Sequence, residues 1–310
     1  MIHLIAHRLA DPLANTDMIL NDHLPYTLKC GAKSLVLDRP LIMGVLNITP
    51  DSFSDGGKFF SDGGAKMDVV LRTAEQMLQD GAAILDVGGE STRPGAAAVS
   101  EQQELDRVVP VVEALASQLG AIVSVDTSTP VVMRETAAVG AGIINDVRGL
   151  EREGALQAAG DTGLPICLMH MQGTPQTMQK NPNYSDVVDE VIEYLADRIA
   201  ACEMLGIARE RLIIDPGFGF GKTLQHNLHL LADLEHFTHL SVPLLVGLSR
   251  KSLLDKITGR SVDERLAGSI TLAALAAERG ANIIRVHDVK ESSDALAVVH
   301  ALSKVSTAKD

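Results

Sequence analysis

The sequence predicts a closed (β/α)8 barrel, an α/β fold. Three observations carry that expectation: eight short apolar runs along the chain, helical periodicity between them, and a Gly, Asp or Asn at or near the end of most runs. The runs are continuous rather than alternating, so each reads as a parallel strand buried on both faces. A doubly wound open sheet is the runner-up, because periodicity alone does not separate the two.

In chain order, residues 1–25 stand outside the repeat and read as a loosely ordered N-terminal extension, and residues 26–310 as the barrel domain. "YTLKCGAKSLVL" (26–37) reads as a β-hairpin with Gly31 in its turn, covering the bottom of the barrel. The eight strands are expected at "LIMGVLN" (41–47), "AAILDVG" (82–88), "AIVSVDT" (121–127), "GIINDVR" (142–148), "LPICLMH" (164–170), "RLIIDPG" (211–217), "PLLVGLS" (243–249) and "ANIIRVH" (281–287). Between them, Met67, Val70, Leu71, Ala74, Met77 and Leu78 share one helical face. So do Val187, Val188, Val191, Ile192, Leu195 and Ile199. Ser100 with Gln103 forms a capping-box pattern, and Thr129 precedes a proline suited to the first helical position. Gly140 and Gly206 sit where helices should stop. Pro110 predicts a kink or break in the helix over 101–118.

Composition narrows the function classes. With 310 residues, 46% of them hydrophobic, the chain has ample material for a large core. No run approaches a membrane span, and the first residues lack the apolar core of a secretory signal. The formal net charge of −13 argues against nucleic acid or an acidic membrane surface as partner. Cys30, Cys167 and Cys202 are widely spaced and odd in number, which predicts a reducing cytoplasm rather than a disulfide framework or a zinc site. An anionic substrate must then be held by locally placed cations.

In such a barrel the active site lies at the C-terminal strand ends. Here those ends carry Asn47, Asp86, Asp126, Asn145, Met169 with His170, Asp215, Ser249 to Lys251, and Arg285 with His287. Single Asp and Asn residues often do no more than end strands, but so polar a ring is out of place in a core. Asp126, Asn145 and Asp215 suit a flat heterocycle with a guanidine-like edge, since a carboxylate meets two parallel N–H donors in fork geometry, and Lys251 suits a carbonyl or ring nitrogen of the same heterocycle. Arg285, His287, Arg93 and Asn47 suit a phosphate or pyrophosphate, with Asn47 also an oxygen ligand for magnesium. "DPGFGFGKT" (215–223) fails the phosphate-loop pattern because Pro216 stands where its first glycine belongs; Lys222 is therefore assigned to a flexible turn. His170, His226 and His229 lack zinc-site spacing and read as structural or surface residues.

"LIMGVLNITPDSFSDGGKF" and "GAAILDVGGESTRPGA" resemble the two signature stretches of the dihydropteroate synthase family. "VSVDT", "IINDV", "IIDPGFGFGKTLQHN", "LVGLSRKS" and "IIRVHDV" are similar to its later motifs in the same order, over about residues 26 to 300. The resemblance implies a pterin-binding transferase that joins 7,8-dihydropterin-6-ylmethyl diphosphate to 4-aminobenzoate, releasing pyrophosphate, with magnesium as cofactor, sulfonamides as inhibitors and a homodimer as the assembly. It places Asp126, Asn145, Asp215 and Lys251 on the pterin, and Asn47, Thr92, Arg93, Arg285 and His287 on pyrophosphate and magnesium. It places Phe53, Thr92, Pro94 and Ser252 on the aminobenzoate. Asp126, Lys251 and Arg285 would be catalytic, in a dissociative displacement where the residues stabilise the departing anion and the cationic pterin. "NITPDSFSDGGKFF" would be a lid that pyrophosphate orders before the aminobenzoate pocket exists. A pterin-binding methyltransferase-like barrel and a catalytically silent paralogue are the rival expectations.

Overall fold

The computed structural model describes residues 25–49, 60–61, 64–90 and 99–307; the expected N-terminal extension lies outside them apart from Pro25. The chain opens with an antiparallel hairpin of β1 (Tyr26–Cys30) and β2 (Lys33–Leu37), turned at Gly31 with φ +63°. Next come β3 (Leu41–Asn47), a two-residue pair β4 (Phe60–Ser61) and β5 (Gly64–Ala65), α1 (Met67–Gln79), β6 (Ala82–Gly88) and α2 (Glu101–Gln118). The alternation continues with β7 (Val123–Asp126), α3 (Pro130–Ala138), β8 (Ile143–Asp146), α4 (Ala155–Asp161), β9 (Ile166–Met169), α5 (Val187–Met204) and β10 (Leu212–Asp215). It ends with α6 (Leu224–Ala232), β11 (Leu245–Val246), α7 (Ser252–Thr258), α8 (Leu266–Glu278), β12 (Ile283–Val286) and α9 (Val289–Thr307).

Eight strands, β3 and β6 to β12, form one parallel sheet in the order β10-β9-β8-β7-β6-β3-β12-β11. A parallel bridge between Ile214 and Leu244, with the Ile214 amide donating to the Pro243 carbonyl at 2.9 Å, joins the two ends. The strand order runs around the ring without the reversal an open doubly wound sheet requires, so the barrel reading stands.

Within each strand, alternation decides what lines the interior. Met43, Ile84, Ile143, Cys167, Ile213, Leu245 and Ile283 form one apolar interior layer, closed from below by Leu28, Cys30, Leu35 and Leu37 of the hairpin. Neighbours of opposite phase, such as Leu85, Val123, Ile144, Ile166, Ile214 and Ile284, pack outward against the helices. Two residues further along five of the eight strands the interior turns polar, at Asp86, Ser124, Asn145, Asp215 and Arg285, while β3 and β9 keep the apolar Val45 and Met169 there. The Ser124 hydroxyl is buried there with no hydrogen-bond partner among the described residues. The barrel is thus a filled apolar plug beneath a polar floor.

One local expectation is corrected in part: the helix over 101–118, α2, has no break at Pro110. Pro110 and Asp106 both lie on the exposed face, where water can serve the carbonyl that loses its intrahelical N–H partner. Thr129 is the N-cap of α3 but makes no side-chain cap bond, because its hydroxyl donates instead to Glu104 at 2.5 Å. The Ser100 capping box forms as expected, and Gly140 and Gly206 follow their helices at φ +108° and +85°.

Candidate functional site

The polar floor is built around Arg285. Its Nε donates to the fully buried Asp86 carboxylate at 2.6 Å and its Nη2 to Asp126 at 3.0 Å, so one guanidinium spans two strands. Asn145, beside Asp126 in the β7–β8 register, points its amide at both Asp86 oxygens from 3.4 and 3.5 Å. Burial pushes the Asp126 carboxyl up to about 7; the Arg285 charge opposes that rise, while Asp86, Asp146 and Glu90 add to it.

Across the barrel, Asp215 ends β10 and is 6% exposed. One of its oxygens accepts the Gly217 amide at 2.7 Å, which leaves the other for a ligand. Burial raises this carboxyl too, against the opposing charges of Lys251, Lys222 and Arg285. The turn after β10 is not the flexible element expected for Lys222. That lysine is 2% exposed, and its ammonium reaches His170 Nδ1 at 2.8 Å and the carbonyls of Gly217 and Phe220 at 2.9 and 3.0 Å. Burial lowers the Lys222 pKa well below the usual lysine range and brings His170 down to about 2, so the imidazole accepts as a neutral ring. A lysine folds inward here because three acceptors converge on its nitrogen, a condition that spacing along the chain does not reveal. His226 closes a capping box with Thr223 at the start of α6.

Lys251 is the N-cap of the seven-residue helix α7, and exposed Ser252 is its first residue. The Lys251 ammonium donates to the Phe218 carbonyl and lies 4.8 Å from the centroid of the half-buried Phe220 ring. Burial lowers its pKa to about 8. Arg250, between Ser249 and Lys251, holds φ +56°, a conformation that costs a non-glycine residue about 1–2 kcal/mol. A two-pronged pair with Asp288 at 3.0 and 2.5 Å, and the Arg250 amide donating to Ser269 Oγ at 2.9 Å, hold it there. That pair ties the turn after β11 to the residue following His287. Arg285 faces the interior, while Val286 packs outward; His287 follows the last strand residue, with its ring Nδ1 at Ser249 Oγ.

Asn47 ends β3 on the rim. A side chain built on Gly88 would meet both Asn47 Oδ1 and Asp126 Oδ2 within 4 Å, so these oxygens flank one glycine. Among the described residues no group of three His, Cys, Asp or Glu side chains is placed to hold a metal ion. Phe53, Thr92, Arg93 and Pro94, with residues 50–59 of the expected lid, lie outside the described residues. The stem leading into residues 91–98 is held on both sides. Arg107 donates to the Gly89 carbonyl at 2.8 Å, and Arg148 meets Glu90 through two bonds of 3.1 Å.

The structure therefore brings together Asp126, Asn145, Asp215, Lys251 and Arg285, with Asn47 and His287 at the same end of the barrel. Asp86, Phe220 and Arg250 join them without having been assigned a role from sequence. For Asp86 a signal existed: it lies two residues after Ile84 and two before Gly88, in the same strand phase as the interior layer.

The profile of the family described as pterin binding enzyme matches residues 43–287, a span that includes every polar strand end above. This chain belongs to that family. Among pterin binding enzymes, it is 57% identical over 268 residues to the dihydropteroate synthase of Escherichia coli strain K12, covering 86% of this chain and 93% of the relative. It is 52% identical over 269 residues to the dihydropteroate synthase of Haemophilus influenzae, covering 87% and 96%. The structure of the Yersinia pestis dihydropteroate synthase in complex with a sulfonamide drug superposes with a TM-score of 0.86 at 51% identity, covering 90% of this chain and 99% of that one. The Xanthomonas albilineans dihydropteroate synthase with 4-aminobenzoic acid superposes at 0.82 with 48% identity and the same coverage. No helix among the described residues is long and apolar enough to cross a membrane.

Proposed function

We infer that this chain carries out the dihydropteroate synthase reaction of folate biosynthesis. It joins 7,8-dihydropterin-6-ylmethyl diphosphate to 4-aminobenzoate and releases pyrophosphate. The observation that carries this reading is the Arg285 guanidinium held between Asp86 and Asp126, facing Asp215 and Lys251 across the mouth of a pterin binding barrel. A cation flanked by carboxylates suits a substrate with an anionic tail and a head that becomes cationic.

The free oxygen of Asp215 accepts the N–H edge of the pterin, Asn145 offers an amide to the same ring, and Lys251 leaves the Phe218 carbonyl to donate to a ring heteroatom. Arg285 and His287 donate to the diphosphate as its bond to the methylene lengthens. Asp126, released from Arg285 when that group turns to the diphosphate, stabilises the positive charge left on the pterin. An aromatic amine attacks such a cation without a strong base, so the site works by placement and electrostatics. Phe220 offers the face of its ring at the side of the cleft where Lys251 lies, which supports a planar aromatic co-substrate there. Family membership supports Phe53, Thr92, Pro94 and Ser252 as further aminobenzoate contacts, and Thr92 and Arg93 as contacts to pyrophosphate.

Magnesium fits the oxygen donors on the rim: Asn47 supplies an amide oxygen, and this ion commonly takes few protein ligands, filling its shell with water and substrate phosphate. Bound there, it neutralises charge on the leaving diphosphate. Sulfonamides are proposed as competitors of aminobenzoate, supported by the Yersinia pestis complex. A homodimer is proposed through α9, where exposed Val298, Leu302 and Val305 recur at helical spacing. A reducing cytoplasm is proposed as the location, in keeping with three buried cysteines held as thiols.

Pyrophosphate release is the test. With the pterin diphosphate and magnesium, release should rise strongly on adding 4-aminobenzoate and 7,8-dihydropteroate should form in equal amount. Methyl transfer from a methylated folate, or pterin binding without release, would replace this reading by one of its rivals.

A further inference from the structure

Ser249 is 7% exposed, and its hydroxyl contacts His287 twice. It lies 3.2 Å from the His287 backbone nitrogen and 3.1 Å from ring Nδ1. The first contact has one possible direction, since a backbone N–H only donates; the Ser249 oxygen is its acceptor. The hydroxyl proton then needs an acceptor of its own, and among the described residues the other hydrogen-bond partner of Ser249 Oγ is the His287 ring. Nδ1 accepts that proton, so in the neutral imidazole the ring hydrogen resides on Nε2.

We propose that Ser249 is a positioning residue that holds His287 in the Nε2–H tautomer, so that its imidazole presents a neutral, pre-aimed donor to the diphosphate of the substrate. This rests on the assignment of His287 to the diphosphate made above. The ring's rotation is set by the same contact, because Oγ holds Nδ1 against the strand backbone and turns the Nε2 edge away from it. The hydroxyl is itself well anchored. Ser249 precedes Arg250, whose unusual backbone conformation is locked by Asp288, the residue after His287. Backbone and side-chain bonds thus join the Ser249–Arg250 and His287–Asp288 pairs side by side. A histidine free to flip would offer a diphosphate oxygen either an N–H or a repelling lone pair. Ser249 removes the second state before substrate arrives.

The tautomer is read directly on the unliganded, unmutated protein by nitrogen NMR of selectively labelled histidine, with the His287 resonances identified by their loss in His287→Gln. An unprotonated, hydrogen-bonded Nδ1 and a protonated Nε2 are expected; protonation at Nδ1 in the neutral ring overturns the proposal. In Ser249→Ala, the His287 signals should shift toward a mixture of tautomers. Affinity for the pterin diphosphate should fall about tenfold, as for loss of a well-aimed hydrogen bond, while affinity for the pterin alcohol changes less than twofold. Ser249→Thr, which keeps the hydroxyl, should restore both readouts toward the parent. Equal losses for diphosphate and alcohol in Ser249→Ala mark a general packing defect and overturn the positioning role. Should His287→Gln leave diphosphate affinity intact, the assignment of His287 to diphosphate fails, while the tautomer measurement still stands or falls alone.

Discussion

Replacing Asp86 by Asn tests the electrostatic frame of the site. Asp86 is fully buried and accepts the Arg285 Nε–H at 2.6 Å, with Asn145 Nδ2 at 3.4 and 3.5 Å on its other side. Removing one partner of a buried ion pair costs about 3–5 kcal/mol, because the other charge stays behind without compensation. Two features temper that cost here. Asparagine keeps the volume and one acceptor oxygen, and Arg285 retains Asp126 at 3.0 Å. A third acts the other way: the new amide N–H2 must either face the Asn145 N–H2 or turn its donor on Arg285. The net expectation is a loss of about 2–4 kcal/mol, taking a neutral hydrogen bond as about half the strength of a charge-assisted one. Urea unfolding followed by circular dichroism measures it as a lowered midpoint at unchanged slope. The same change introduced with Arg285→Met should cost much less, because no unpaired cation remains. A coupling below about 0.5 kcal/mol in that double-mutant cycle would show that Asp86 and Arg285 act independently and would refute the reasoning.

Other substitutions follow from the same geometry. Gly217→Ala places a Cβ 1.8 Å from the His170 carbonyl at a position with φ +70°, so the turn must shift; stability should fall by at least the about 1–2 kcal/mol of backbone strain, and an unchanged unfolding midpoint would show the turn to be pliable. Asp215→Asn should weaken pterin binding by about 2–4 kcal/mol in calorimetry, as a charge-assisted pair in a closed site is lost, and unchanged affinity would remove Asp215 from the pterin pocket. Burial lowers the Lys251 pKa to about 8, so pterin affinity should decline as pH rises through about 8 and the ammonium loses its proton, and Lys251→Met should flatten that decline; an identical decline in the variant would assign the titration to another group. Arg285→Ala should impair binding of the diphosphate far more than that of the pterin alcohol, and equal losses would place Arg285 off the phosphate.

Much of the fold is legible in the chain because its determinants are local. Continuous apolar runs of seven residues can be satisfied on both faces only as interior strands, and β3 and β6 match their expected bounds at Leu41–Asn47 and Ala82–Gly88. The Ser100 capping box and the glycines after α3 and α5 are likewise encoded within a few residues of where they act. Pro110 does not break α2, because its cost depends on which face of the helix meets water, and that is decided by what the helix packs against. Strand ends identify themselves through polarity, so Asp126, Asn145, Asp215, Arg285 and His287 could be collected as one set before any contact was known.

What sequence could not supply is which members of that set touch. Arg285 and Asp86 are 199 residues apart, and their bond exists because β12, β3 and β6 are neighbours in the closed ring. Lys222 fails a motif, so its sequence context argues only against a phosphate loop; its burial follows from three acceptors that the His170 strand end and the Gly217 turn bring together. The pairing of Arg250 with Asp288 and of Ser249 with His287 likewise depends on β11 lying beside β12. The sequence by itself determined the strands, their polar ends and the family of chemistry those ends serve, because hydrophobic period, capping and residue type act at short range. The tertiary structure alone decided the pairings that set charge, tautomer and orientation, because a hydrogen bond depends on distances of a few tenths of an ångström between strands whose register only barrel closure establishes.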